Sequence, residues 1–296
     1  MTQAPHPRPV VVGVDASEGS LRAVRFAADE ARLRAAPLRI VHALSARSHG
    51  GTVPPGDLDV PELLRSGAEG VLQWAGEAVA DRLPARTVST AVVHGDPVGV
   101  LRAESEHAQL LVVGTRGVGG VAGLLLGSTA SALAGQTDCP LVVLPDDTTA
   151  WVRDRVSVVV GVEGRSADDD VLAFAFAEAA ARGTDLVAVH AWQDVDLETA
   201  FQSMRPVVDW AEVQAEEQRV LSEALAGWAD KEPDVTVREV VVREKKARAL
   251  VAAASTAELL VVGHHRGRAL GSTTHAALHR ATCPVAVVPI TARAFR

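Results

Sequence analysis

Leu110-Leu111-Val112-Val113-Gly114-Thr115-Arg116-Gly117, nine further residues, then Gly127-Ser128-Thr129-Ala130: this stretch decides how the 296-residue chain is read. A short valine- and leucine-rich run, a glycine-bearing loop and the segment Ala130-Ser131-Ala132-Leu133-Ala134 read as a strand, a loop and a helix starting near Ser128. Glycines let the backbone turn sharply and approach a ligand closely. The unpaired N–H groups and positive dipole end of the following helix favour an anion, and the hydroxyls of Ser128 and Thr129 add donors. An ordinary loop with Ser128 as a plain N-cap would use the same residues, so the loop alone leaves both readings open.

Upstream, Val10-Val11-Val12-Gly13-Val14 reads as the first strand, ending at Asp15, and Ser17 or Glu18 to Ala35 as a helix with Val24, Ala27, Ala28 and Ala31 at helical spacing. Leu38 to Leu44 forms the second strand, and Ser45 to Asp59 a Gly/Pro-containing loop. Pro61 to Leu83 reads as a long helix, Thr87 to Val93 as the third strand, and Val98 to His107 as a helix with proline near its first position. Leu141 to Leu144 closes a fifth strand. Strands alternating with helices predict an α/β, doubly wound parallel sheet, whose ligands collect at strand carboxyl ends. Asp15 and the glycine loop both lie at such ends.

The pattern then restarts. Val158 to Glu163 repeats the opening strand, and Val189-His190-Ala191 repeats Val41-His42-Ala43, both at a lag of 148 residues. Leu259 to Gly263 repeats Leu110 to Gly114 at a lag of 149, while Cys283-Pro284 repeats Cys139-Pro140 at 144. Five residues are therefore missing from the second glycine loop. The unit of repetition is a whole domain rather than a solenoid repeat, which predicts domains over 8–147 and 155–291 joined by the polar segment Asp146 to Asp154.

Composition sets limits. Hydrophobic residues make up 48% of the chain, enough for two cores, and two cysteines at matching places in the copies argue against a disulfide framework. A formal charge of -8 disfavours a general attraction to nucleic acid. The start of the chain lacks a signal-like apolar region and no run approaches a membrane span, which predicts a cytoplasmic protein with no membrane partner. Lysine occurs only at 231, 245 and 246. A Walker loop, whose lysine contacts the β/γ-phosphates, is thereby excluded from the first copy. The turn after the first strand, Asp15-Ala16-Ser17-Glu18-Gly19-Ser20, does not match a dinucleotide fingerprint either.

The spacing Gly114-x-x-Gly117-x9-Gly127-Ser128 resembles that of the nucleotide-binding branch of the universal stress protein family. Val-Gly-Val-Asp15-Ala-Ser17, the His42 strand, Gly95-Asp96-Pro97 and Cys139-Pro140-Leu-Val-Val extend the resemblance over nearly the whole chain as two consecutive domains. It implies five strands per domain in the order 3-2-1-4-5, and binding of ATP, usually with Mg2+ or Mn2+ on the phosphates. Carried over, Gly13, Val14 and Asp15 would border the adenine and ribose, and Val41 would pack on the base. Val113, Gly114 and Gly117 would lie under the ribose and phosphates, and Gly127, Ser128, Thr129 and Ala130 would hold the phosphates. Periodicity by itself makes Val14 and Val41 core residues. Arg116 could offset phosphate charge. The resemblance also suggests pairing through the fifth strand, which would make the two copies a pseudo-dimer within the chain, with homodimers as the other form.

The second copy departs from the pattern. Gly263 to Gly271 spans eight positions where Gly114 to Gly127 spans thirteen, Glu163 replaces Asp15, and Arg243-Glu244-Lys245-Lys246 replaces His94-Gly95-Asp96-Pro97. Weak or absent ATP binding is expected there, although Gly271-Ser272-Thr273, Arg266 and Arg268 keep features suited to a smaller anion. His264, His265, His275 and His279 lack a further ligand at a metal-binding spacing and read as a polar loop and a solvated helix face. His42 and His190 read as structural histidines at a sheet edge, and Ser166 with Asp168-Asp169-Asp170 as a capped acidic helix start. No Gly-x-Ser-x-Gly elbow or triad order suggests a catalytic set, and no metal ligands are assigned. The expected function is a non-enzymatic, ATP-binding stress-response regulator acting on an unidentified protein partner. A slow ATPase or adenylating enzyme and a nucleotide-free interaction scaffold are the alternatives.

Overall fold

The computed structural model describes residues 7–45, 60–115, 117, 126–146, 157–164, 168–192 and 209–290. Most of the loop expected over 45–59, the linker beyond Asp146, Arg116 and residues 118–125 lie outside the described residues. What is described forms two compact units dividing near residue 147.

In the first unit β1 (Val10–Gly13), α1 (Glu18–Leu33), β2 (Leu38–Leu44), α2 (Val60–Glu77), β3 (Val88–His94), α3 (Pro97–Ser105), β4 (Leu110–Gly114), α4 (Ser128–Leu133) and β5 (Leu141–Leu144) follow one another. All pairings are parallel and the order is β3-β2-β1-β4-β5. Val10, Val11 and Val12 are fully buried, as are Leu110, Leu111 and Val112. Unbroken apolar runs of this kind belong to strands covered on both faces. Helix α1 supplies part of that cover through a buried stripe of small residues, Ala23, Val24, Ala27, Ala28 and Ala31. Its N-cap is Ser17, whose hydroxyl accepts the Ser20 N–H at 3.1 Å. Helix α3 starts as the sequence indicates, with Pro97 in its first turn and the Asp96 carboxylate accepting the N–H groups of Val98 and Gly99 at 3.1 Å each.

The second unit repeats the arrangement with β6 (Ser157–Gly161), α5 (Asp169–Arg182), β7 (Asp185–Ala191), α6 (Trp210–Leu225), β8 (Val237–Val242), α7 (Lys246–Ala253), β9 (Leu259–His265), α8 (Ser272–Arg280) and β10 (Val285–Ile290). Its strands are parallel in the order β8-β7-β6-β9-β10. The expected five-stranded order therefore holds in each unit, with the order reversing at β1/β4 and at β6/β9.

Two sequence-based expectations need correction. His264 and His265 belong to β9 rather than to a loop, opposite Pro289 and Ile290 of β10, and His264 is buried. His42 and His190 sit on interior strands, because β2 runs between β1 and β3 and β7 between β6 and β8. Their role is structural: Nδ1 of His42 donates to the Val14 carbonyl at 2.8 Å and Nδ1 of His190 to that of Val162 at 2.9 Å. Ser166, expected to cap this helix together with Asp169, lies outside the described residues, and Asp168 reaches back to the end of β6. Cys139 and Cys283 are both buried, and neither is in a disulfide. No helix among the described residues is long and apolar enough to cross a membrane.

Candidate functional site

The carboxyl ends of β1 and β4 carry the residues singled out in the first copy. Gly13 lies opposite Val41, and the Val14 N–H continues the ladder to the Val41 carbonyl at 2.9 Å, so the chain leaves the sheet only at Asp15. Ala16 then adopts φ +68, a left-handed turn that a non-glycine residue enters at a cost. This turn brings Ser17 back toward the strand end. The Asp15 carboxylate accepts the Ser17 hydroxyl at 2.6 Å and the Ser17 N–H at 3.2 Å, orienting the residue that caps α1.

From the other side, β4 delivers Thr115, whose N–H donates to the Leu144 carbonyl at 2.9 Å. The Gly127 N–H donates to the Thr115 carbonyl at 2.6 Å, which pins the two ends of the glycine loop together at its base. Gly117 lies against Asp15: a β-carbon at Gly117 would overlap the Asp15 carboxylate. Thus Asp15 is brought beside Gly117, more than a hundred residues away in sequence, on the loop whose far end starts α4.

The start of α4 is a donor surface. Gly127 is its N-cap and supplies no side chain, so the N–H groups of Ser128, Thr129 and Ala130 precede the first helical bond, Ser131 N–H to Gly127 C=O at 3.0 Å. Ser128 is exposed, Thr129 half-buried and Ala130 buried. Thr115 Oγ1, which sequence reading passed over, is buried and has no hydrogen-bond partner among the described residues. A buried hydroxyl of this kind is costly unless something pairs with it. The same holds for Nε of Arg22, whose Nη2 reaches Asp146 at 3.1 Å; nothing in the sequence marks that pair.

Other expected residues lie at the site but have internal reasons for their identity. Val41, Val113 and Val14 are core residues at 1%, 5% and 6% exposure. A β-carbon on Gly13 would meet Leu101 of α3 at 2.7 Å, and one on Gly114 would meet the backbone carbon and oxygen of Gly19 at 2.9 Å. These glycines admit helices α3 and α1.

The corresponding strand end in the second unit is built differently. Gly164 takes the left-handed turn at φ +75, and Val220 of α6 stands where its β-carbon would be. The N–H groups of Glu163 and Gly164 donate to one oxygen of Asp168 at 3.0 and 2.7 Å. Glu163, the counterpart of Asp15, is paired with Lys246 at 3.2 Å. Sequence alignment of the copies shows the Glu163 and Lys246 replacements, but not that they meet. Gly271 caps α8 without a side-chain bond, as Gly127 caps α4.

The chain matches the family model described as "Universal stress protein family" twice, over residues 7–145 and 156–289. It is 38% identical over 291 residues to a universal stress protein of Mycobacterium tuberculosis, covering 94% of this chain and 95% of that one. A second universal stress protein of the same organism is 38% identical over 293 residues, covering 94% and 96%. Among solved structures, a universal stress protein from Archaeoglobus fulgidus superposes with a TM-score of 0.67 at 18% identity over 96% of this chain and 99% of that one, a likeness of fold. Two consecutive matches to one family model, spanning both units, establish that the chain is a tandem member of the universal stress protein family.

Proposed function

We propose that the first unit binds ATP and that the protein acts as a nucleotide-dependent regulator in the stress response, with a second unit that does not bind ATP. The observation that carries this is the contrast between the two strand ends. At β1 the Asp15 carboxylate faces Gly117 beside a helix start with no side-chain cap and a buried hydroxyl without a partner among the described residues. At the end of β6, Val220 stands against Gly164, Asp168 ties down the turn, and Glu163 is paired with Lys246.

The residues of the first unit fit a polyphosphate. Backbone N–H groups of Ser128, Thr129 and Ala130, with the hydroxyls of Ser128 and Thr129, would take phosphate oxygens at the positive end of α4. Gly127, its N–H already bonded to Thr115, shapes the cap rather than donating. Asp15 would accept hydrogen bonds from the ribose, and Val41 and Val14 would form the floor under the base. Among the described residues no three His, Cys, Asp or Glu side chains cluster as a metal site. A divalent cation would therefore be carried by the phosphates and water, as Mg2+ commonly is. Regulation is preferred to catalysis because residues 1–230 contain no lysine, and among the described residues neither a general base nor an activated nucleophile stands at the phosphate end.

Denaturing freshly purified protein and quantifying released nucleotide by chromatography and mass spectrometry tests this directly. About one ATP per chain is expected by this one-site reading, and none from Gly117→Glu/Gly127→Glu protein. Absence of nucleotide, together with no uptake on adding ATP and Mg2+, would overturn the proposal.

A further inference from the structure

Thr115 follows β4 with both of its backbone groups committed. Its N–H donates to the Leu144 carbonyl at 2.9 Å and its carbonyl accepts the Gly127 N–H at 2.6 Å, so two bonds hold the residue at the base of the glycine loop. Only the side chain is left. The residue is 4% exposed, and Oγ1 has no hydrogen-bond partner among the described residues.

Strand alternation gives the direction of that side chain. A β-carbon on Gly13 would meet Leu101, so Gly13 faces α3. Val12 pairs with Val112, which sets Val113 beside Gly13 on the same face. A β-carbon on Gly114 would meet Gly19 of α1, on the opposite face. Thr115, its N–H still in the ladder to β5, returns to the α3 face. Helix α4 packs on α3 and covers the same side. The hydroxyl therefore lies on the α3–α4 side of the sheet, at the foot of the loop that carries Gly117 and ends at Gly127.

The second unit closes this place with its own side chains. His264 stands at the position of Thr115 and Thr274 at that of Ala130. The Thr274 hydroxyl donates to the Gly263 carbonyl at 3.3 Å, tying α8 to β9. Ala130 can make no such bond. In the first unit the hydroxyl sits on the strand, where the fold gives it no acceptor among the described residues.

We infer that the Thr115 hydroxyl reads the ligand: it donates to a phosphoryl oxygen of the bound nucleotide, so that phosphate, more than the nucleoside, is what the first unit discriminates. This rests on the ATP site proposed above and adds to it a side chain outside the glycine spacing. The acceptor is a phosphoryl oxygen because Thr115 is bonded to Gly127, where the phosphate-holding segment begins, while the base and ribose are assigned to Val14, Asp15 and Val41. A hydroxyl unpaired in the empty protein gains a charge-assisted bond in the loaded one, so occupancy tightens the base of the loop.

Thr115→Val removes the hydroxyl at nearly constant shape, and Thr115→Ser keeps it. Calorimetric titration of nucleotide-stripped full chain with ATP and Mg2+ is expected to show binding about tenfold weaker, or worse, in Thr115→Val and within about threefold of the parent in Thr115→Ser. Adenosine, which lacks phosphate, should distinguish parent from Thr115→Val by less than about twofold. The thermal midpoint of stripped Thr115→Val should be unchanged or raised, with a smaller rise on adding ATP. A parent chain that binds no ATP would overturn the nucleotide site and this assignment together. ATP bound equally by parent and Thr115→Val, an equal loss for adenosine, or a lowered midpoint in the stripped variant would leave that site standing and overturn the assignment of the hydroxyl alone.

Discussion

The Asp15 carboxylate lies in the space that a side chain on Gly117 would need. The overlap involves only the tip of a side chain, which can rotate away, and Gly117 is exposed. Gly117→Ala is therefore expected to leave stability within about 0.5 kcal/mol. By displacing Asp15 it should lower ATP retention about tenfold, measured as nucleotide released per chain. Full retention would show that Asp15 does not face the ligand.

Gly114→Ala should behave in the opposite way. Its β-carbon would meet the Gly19 backbone at 2.9 Å, and backbone cannot rotate aside, so α1 must shift against β4. A loss of about 1–3 kcal/mol is expected from denaturant unfolding. An unchanged midpoint would mean that α1 is not seated on this strand end.

His190 is 5% exposed, with Nδ1 donating to Val162 and Nε2 standing 2.7 Å from Glu217 of α6. Glu217→Ala strands that nitrogen in the interior and should cost about 1–3 kcal/mol. Glu217→Gln, whose amide can donate to neutral Nε2, should cost less. Glu69, at the same place in the first copy, is exposed and among the described residues pairs only with Arg65, at 3.5 Å, so Glu69→Ala should stay within about 0.5 kcal/mol. Equal effects at 69 and 217 would contradict this difference.

His279 on α8 has its pKa lowered from 6.5 by burial, by His275 one turn away and by Arg280. A depressed histidine disfavours protons in the folded state, so it subtracts nothing at high pH. Its contribution to stability falls as pH drops below 6.5, where the unfolded chain takes up the proton first. His279→Gln should therefore flatten the loss of thermal midpoint below pH 6.5 and leave the midpoint above pH 7.5 nearly unchanged. An identical acid limb in both proteins would exclude this histidine as a contributor.

Burial pushes the Cys139 thiol up to about 12, far from a reactive thiolate at neutral pH. Native protein should leave Cys139 unalkylated by iodoacetamide over hours at pH 7.5, with modification appearing only in denaturant. Rapid native labelling of this residue, mapped by peptide mass spectrometry, would show that the strand end before β5 opens.

Sequence alone determined the repeating architecture. Valine- and leucine-rich runs at fixed lags, broken by glycine and proline, admit little but parallel strands and crossover helices, and the double family match follows from the same residues. The starts of α1, α3 and α4 were legible because caps are local: Ser17, Asp96-Pro97 and Gly127-Ser128 act on backbone within three residues. Tertiary structure decided what depends on contacts across the fold. It placed Gly13 and Gly114 under helices, left Thr115 Oγ1 buried without a partner among the described residues, extended β9 through the two histidines, and turned Asp168 back onto β6. It also decided the difference between the copies, since Val220 over Gly164 and Lys246 against Glu163 join positions 56 and 83 residues apart. No local pattern encodes those meetings; they exist only because parallel strands bring distant loops to one edge of a sheet.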